Sequence, residues 1–190
     1  IYIALKDIQS NEKSTLTDIQ NKVLENEIRD FKLSGCHLDN NKKKRLEEIS
    51  LRLSELSHKF SLNLLNATNE FEMIIDNFED VKEIPAYDLE LAKFEEDGIT
   101  KYKFTLQAPS YSAYITYGTS REKREELYKG YCTRAPQNGK IIEELLALKN
   151  EKSKILGFNS YAQYSLATKM ASKEEDVITF LEELGEKAKV

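Results

Sequence analysis

Apolar residues at Leu16, Ile19, Val23 and Phe31 recur at helical spacing. They predict a helix over about residues 13–34, with a short helix before it and a break near Ser10-Asn11. Ser34-Gly35 should end that helix, the glycine taking the left-handed conformation such an end requires. Asp39 can then cap a second helix with apolar positions Leu46, Ile49, Leu53, Leu56, Phe60, Leu64 and Ala67. The steps of three and four continue without glycine or proline, so a helix over 40–70 is expected, about 46 Å long at 1.5 Å per residue. A helix of that length belongs in a larger helical layer, and the preceding helix is the obvious antiparallel neighbour. Ile19, Val23 and Phe31 should then face Leu46, Leu53, Leu56 and Phe60.

The pattern changes after residue 70. The run Phe71-Glu72-Met73-Ile74-Ile75 reads either as the end of the long helix or as a short strand. Pro85 opens a short helix to about Phe94, and Glu95-Glu96-Asp97-Gly98 reads as a turn. Lys101-Tyr102-Lys103-Phe104-Thr105-Leu106-Gln107 alternates strictly, which predicts a half-buried strand with Tyr102, Phe104 and Leu106 inward. A lone strand cannot satisfy its own backbone, and 71–76 is the local candidate for its partner. Beyond Pro109 helices return. Thr119 with Glu122, Ser160 with Gln163 and Ser172 with Glu175 have capping-box spacing, predicting helices at 120–134, 160–168 and from 173 onward. A further helix over 138–156 carries Ile141, Leu145, Leu148 and Ile155 on one face, with Gly157 just past it. The expected fold is mainly α: a multi-helix lobe with long antiparallel helices and a small β-strand pair.

Composition agrees. Three prolines and seven glycines in 190 residues argue against a turn-dense all-β fold. No stretch approaches the roughly 20 apolar residues of a membrane-spanning helix, so no membrane partner is expected. With 28 basic and 33 acidic residues the net charge is −5. That balance disfavours a nucleic-acid partner. The one basic run, Lys42-Lys43-Lys44-Arg45, leads into Glu47-Glu48 and reads as the solvated opening of a helix. Cys36 and Cys132 have no CxxC neighbour and read as free thiols of a reducing cytosol. The absence of an initial Met, and a last helix still amphipathic at Ile178, Leu181 and Leu184, suggest a piece of a longer protein.

The search for chemistry is negative. His37 and His58 are the two histidines; no HExxH places two imidazoles one helical turn apart for zinc. No GxSxG or glycine-rich phosphate loop is present. Glu47-Glu48, Glu143-Glu144 and Glu182-Glu183 read as solvated helix surface. No catalytic, metal or cofactor-binding residue is assigned. The most unusual feature is aromatic: eight of the ten tyrosines fall between residues 102 and 164. Tyr111, Tyr114, Tyr117, Tyr128, Tyr131, Tyr161 and Tyr164 fit the boundary between core and solvent better than a direct ligand contact.

Four segments nonetheless carry a resemblance: RDFKLSGCHL at 29–38, RLSELSHKFSLNLLNAT at 52–68, APSYSAYITYGTSREKREELYKGYCTRA at 108–135 and ILGFNSYAQYSLATKMA at 155–171. In this order, across nearly the whole chain, they resemble the N-terminal part of the zinc oligopeptidases of the oligopeptidase A and thimet oligopeptidase family. The resemblance implies a cytoplasmic, largely helical peptidase with one zinc, two lobes and a deep channel that admits short peptides. Residues 1–190 would be a single, partial N-terminal lobe whose partner is the C-terminal catalytic half. The zinc site of such enzymes lies in that later half, so no functional residue carries over. Tyr111, Gly130, Arg134, Asn159 and Tyr161 match positions of the lobe that walls the channel. A dipeptidyl carboxypeptidase of the same family is the alternative, and a non-catalytic helical interaction module is the alternative of another class.

Overall fold

A computed structural model describes residues 1–189, and the chain divides into two compact units. One comprises Ile1–Glu55 with Glu143 onward; the other is Leu56–Ile142.

In the first unit, helix α1 (Tyr2–Asn11) packs on α2 (Asp18–Leu33). Between them the chain makes a short 3-10 turn at Lys13–Thr15. The second helix therefore begins later than its apolar pattern suggested. Its start is set by a capping box: the Thr17 hydroxyl accepts from the Gln20 backbone while the Gln20 side chain accepts from Thr17 N. The buried residues of α2 are Leu24 and Ile28, with Phe31 half-buried against Tyr2. Ile19 and Val23, expected to face the next helix, are 78% and 55% exposed. At 100° per residue they lie roughly 100–180° round α2 from Leu24 and Ile28. Two apolar rows compete on this helix, and the covered row wins.

Helix α3 (Asn40–Glu70) has the expected bounds, and Lys42 N donates to the Asp39 carboxylate at 3.0 Å. That bond holds the Asp39 carboxyl below its ordinary pKa. Its seam is the expected one, with Leu46, Ile49 and Leu56 buried and Leu53 half-buried. The ion-paired neighbour of its first half is α7 (Asn138–Ile155). Arg45 grips Glu151 at 2.6 and 2.8 Å, and Arg52 grips Glu144 at 2.6 and 3.0 Å. Seven residues up one helix match seven down the other, so the two run antiparallel. Gly35 (φ 81°) ends α2 as anticipated, closely covered by Leu46 and Leu38. Ser160 caps α8 (Tyr161–Leu166) as anticipated, accepting from Gln163 N. Ser172 does not cap α9 (Glu174–Ala188): the cap position is Lys173, without a side-chain cap bond. Helix α9 leaves Ile178, Phe180, Leu181 and Leu184 exposed.

In the second unit, residues 72–75 settle as a strand. β1 (Glu72–Ile75) pairs antiparallel with β3 (Ile99–Thr105), placing Met73 opposite Phe104 and Ile75 opposite Tyr102. A third strand, β2 (Lys93–Glu96), follows α4 (Ala86–Ala92) and pairs with the other edge of β3, giving the order β1-β3-β2. Residues expected to end the helix and begin a turn are thus strand. The turn contracts to Asp97-Gly98, both with positive φ (53° and 76°), the backbone a tight hairpin demands. One face of the sheet carries Met73, Ile75, Tyr102 and Phe104 into a core completed by Val81, Ile84, Leu106, Ala113, Tyr114 and Leu127. Among the described residues no helix is long and apolar enough to cross a membrane.

Candidate functional site

Helices α5 (Ala108–Tyr117) and α6 (Arg121–Cys132) carry most of the tyrosine-rich stretch. Pro109 sits in the first turn of α5, where its missing N–H costs nothing. Ser120 caps α6 by accepting from Lys123 N at 3.3 Å. Thr119, the expected cap, instead donates its hydroxyl to the Glu79 carbonyl at 2.6 Å, so the cap falls one residue later and the expected reciprocal box with Glu122 does not form.

The tyrosines divide by depth. Tyr114 is fully buried, its ring 4.8 Å from that of Phe104, and burial pushes its phenol up to about 12. Tyr111, one turn earlier, is half-buried and stacks on Tyr131 of α6 at 4.3 Å. Arg134, just past α6, lies 3.7 Å over the Tyr131 ring. Its guanidinium also donates to the Tyr131 carbonyl at 2.9 Å and to the Thr68 hydroxyl at 3.0 Å. Thr68 in turn donates to the Leu64 carbonyl, so Arg134 joins α3 to the end of α6. The next residue, Ala135, makes the turn in a left-handed conformation (φ 51°). Gly130 lets the Phe71 ring approach: a Cβ there would lie 2.6 Å from Phe71 Cε2. Tyr128, 55% exposed, lies beside the Cys132 thiol, which raises the phenol's pKa.

The two helices also line an open cavity of about 390 Å³, bounded by Ile115, Arg121, Arg124, Glu125 and Tyr128. Arg121, Arg124 and Tyr128 are spaced i, i+3, i+7 and so share one face of α6. That spacing was readable in the sequence, but nothing there distinguishes it from an ordinary solvated face.

The residues considered for metal chemistry do not gather. His37 and His58 are both exposed, one in each unit. Among the described residues no three His, Cys, Asp or Glu side chains converge to hold an ion. Cys36 and Cys132 are free thiols. Glu47-Glu48, Glu143 and Glu182-Glu183 lie on exposed helix surface; Glu144 is taken by Arg52. Asn159 and Tyr161, the remaining matched positions, flank the start of α8, where Lys149 lies 5.1 Å over the Tyr161 ring.

Sequence comparison places this arrangement in a class. The chain belongs to peptidase family M3, whose sequence pattern matches residues 114–190, from Tyr114 of the core through α6, α7, α8 and α9. Among its relatives, the oligopeptidase A of Haemophilus influenzae is 43% identical over 199 aligned positions, covering 99% of this chain. The oligopeptidase A of Escherichia coli is 37% identical over the whole chain, and the saccharolysin of Saccharomyces cerevisiae 28% identical over 96% of it. The chain spans 29%, 30% and 26% of the lengths of these three proteins.

Proposed function

We infer that this chain is the N-terminal part of a zinc-dependent oligopeptidase of the cytoplasm, and that its helices wall a channel admitting short peptides. The observation that carries the reading is the 43% identity to an oligopeptidase A along essentially the entire chain. The donor set supports assigning the chemistry elsewhere in such an enzyme. A catalytic zinc takes three protein ligands and leaves a position open. The described residues offer two exposed histidines, one in each unit, and no convergent carboxylates. They do not fit a zinc ion, and no catalytic step is assigned to them. Two free thiols agree with a reducing compartment.

The test compares residues 1–190 alone with the complete polypeptide that carries them. Each is incubated with zinc and a short quenched fluorescent peptide, and cleavage and bound metal are measured. The complete protein should hold zinc and cleave the peptide in a chelator-sensitive way; residues 1–190 should do neither. Stoichiometric zinc with chelator-sensitive cleavage by 1–190 alone would overturn the division of labour. An inactive, well-folded complete protein would overturn the peptidase reading.

A further inference from the structure

The six arginines of the chain fall into two groups. Arg29, Arg45 and Arg52 each pair with a carboxylate, on Asp30, Glu151 and Glu144 respectively. Arg121, Arg124 and Arg134 make no ion pair among the described residues, although the chain has 33 acidic side chains. Arg134 is occupied by Tyr131 and Thr68, and Arg124 donates one N–H to the Gly118 carbonyl. Arg121 is exposed and makes no hydrogen bond or close ion pair among the described residues, although its charge, after the Lys129 bond, helps hold the Glu125 carboxyl below its ordinary pKa. Of the carboxylates nearby in sequence, Glu125 pairs with Lys129 at 2.6 Å and Glu126 with Lys123 at 2.9 Å, while Glu122 is exposed and forms no ion pair among the described residues. The two least-engaged guanidinium groups line the same cavity, with Ile115 and the exposed ring of Tyr128 as its apolar wall.

We propose that this cavity between α5 and α6 binds the C-terminal carboxylate of a short peptide. Arg121 and the free N–H groups of Arg124 receive the carboxylate, and the last side chain of the peptide lies against Ile115 and Tyr128. Guanidinium forks match the planar geometry of a carboxylate. A volume of about 390 Å³ lies in the usual range for ligand sites, roughly 300–1,000 Å³. The pairing of cations with an aromatic and an aliphatic surface suits an anion attached to a side chain better than a bare anion. The negative charge of Glu125 on the same wall opposes a phosphate dianion more than a carboxylate monoanion. The inference deepens the peptidase reading and rests on it for the choice of a peptide as ligand.

The experiment titrates the chain with a short peptide ending in a free-acid Leu, with its C-terminally amidated twin, and with inorganic phosphate. The Ile115 methyl and Tyr128 ring resonances report the site. The free-acid peptide should shift both, and amidation should weaken binding roughly tenfold, the worth of a hydrogen bond to a charged group. Arg121→Gln, on an exposed side chain, should weaken the free-acid peptide as much and leave the amide unchanged. The amidation arm needs no variant, so it decides the matter whatever Arg121→Gln does to folding. Equal binding of acid and amide, shifts confined to other residues, or phosphate competing as strongly as the peptide would each overturn the proposal. Peptide binding here without hydrolysis by the complete protein would count against the peptidase reading alone. Hydrolysis there without carboxylate-dependent binding here would count against this site alone.

Discussion

Replacing Gly35 by Ala should cost roughly 2–5 kcal/mol, in two separable parts. The first is conformational. Gly35 has φ 81°, a left-handed backbone that costs an L-residue with a Cβ about 1–2 kcal/mol. The second is steric. The new Cβ would lie 2.5 Å from Leu46 Cδ2 and 3.1 Å from Leu38 Cδ1. Leu46 is only 8% exposed, so its methyl has to move within packed surroundings, an overpacking cost of about 1–3 kcal/mol. Gly157 separates the parts. Its φ is 88°, in the same structural unit, and a Cβ there meets nothing within 4 Å. Gly157→Ala should therefore lose only about 1–2 kcal/mol. Urea unfolding followed by far-ultraviolet circular dichroism measures all the variants. Leu46→Ala alone should cost about 2–5 kcal/mol, since it empties a core position. Combined with Gly35→Ala it removes the clash, so the double variant should lose roughly 1 kcal/mol less than the sum of the single losses. Equal losses for Gly35→Ala and Gly157→Ala, or additivity within about 0.5 kcal/mol in the double variant, would refute the steric argument.

Phe104→Ala should cost about 3–5 kcal/mol in the same assay, because the ring is 1% exposed and packs on Tyr114 and the sheet; a loss near zero would mean that this core is not formed in solution. Tyr114→Phe should be neutral or stabilise by up to about 1 kcal/mol, because it deletes a buried hydroxyl without a protein partner. A clear loss of stability would show that the hydroxyl is bonded. Arg45 holds the Glu151 carboxyl below its ordinary 4.5, so the stability of this pair is present above that pH and is lost as falling pH protonates the carboxylate. Urea midpoints of the wild-type chain and Glu151→Gln should differ near neutrality and converge in acid; a gap independent of pH would refute the linkage.

Much of this protein was legible along the chain because the relevant information is local. The seam of α3, the Gly35 terminus, the Ser160 cap and the inward face of β3 each depend on periodicity or on a single backbone conformation within a few residues. The Thr17 capping box and the Asp97-Gly98 hairpin were equally local. The capping box went unread because the apolar signal of Leu16 beside it drew the helix start earlier; Asp97-Gly98 was read as a turn, but one that also took in Glu95-Glu96, which are the end of β2. The family resemblance carried in the four segments was local in the same sense.

Tertiary structure decided what depends on a partner distant in sequence. Leu24 and Ile28 rather than Ile19 and Val23 became the buried row of α2, since a helix with two apolar rows buries the one its neighbours cover. Arg45 and Arg52 found Glu151 and Glu144 about a hundred residues away, which no i, i+4 rule anticipates. The same holds for the cavity beside Tyr128. Arg121 and Arg124 share a helix face by spacing alone, but only the placement of Ile115 from α5 gives that face a wall. Only the surrounding packing shows that neither guanidinium closes an ion pair, Glu125 on the same wall being bonded to Lys129. Spacing along a helix determines which side chains are neighbours on one surface; whether that surface is covered, paired or open depends on which other element arrives there.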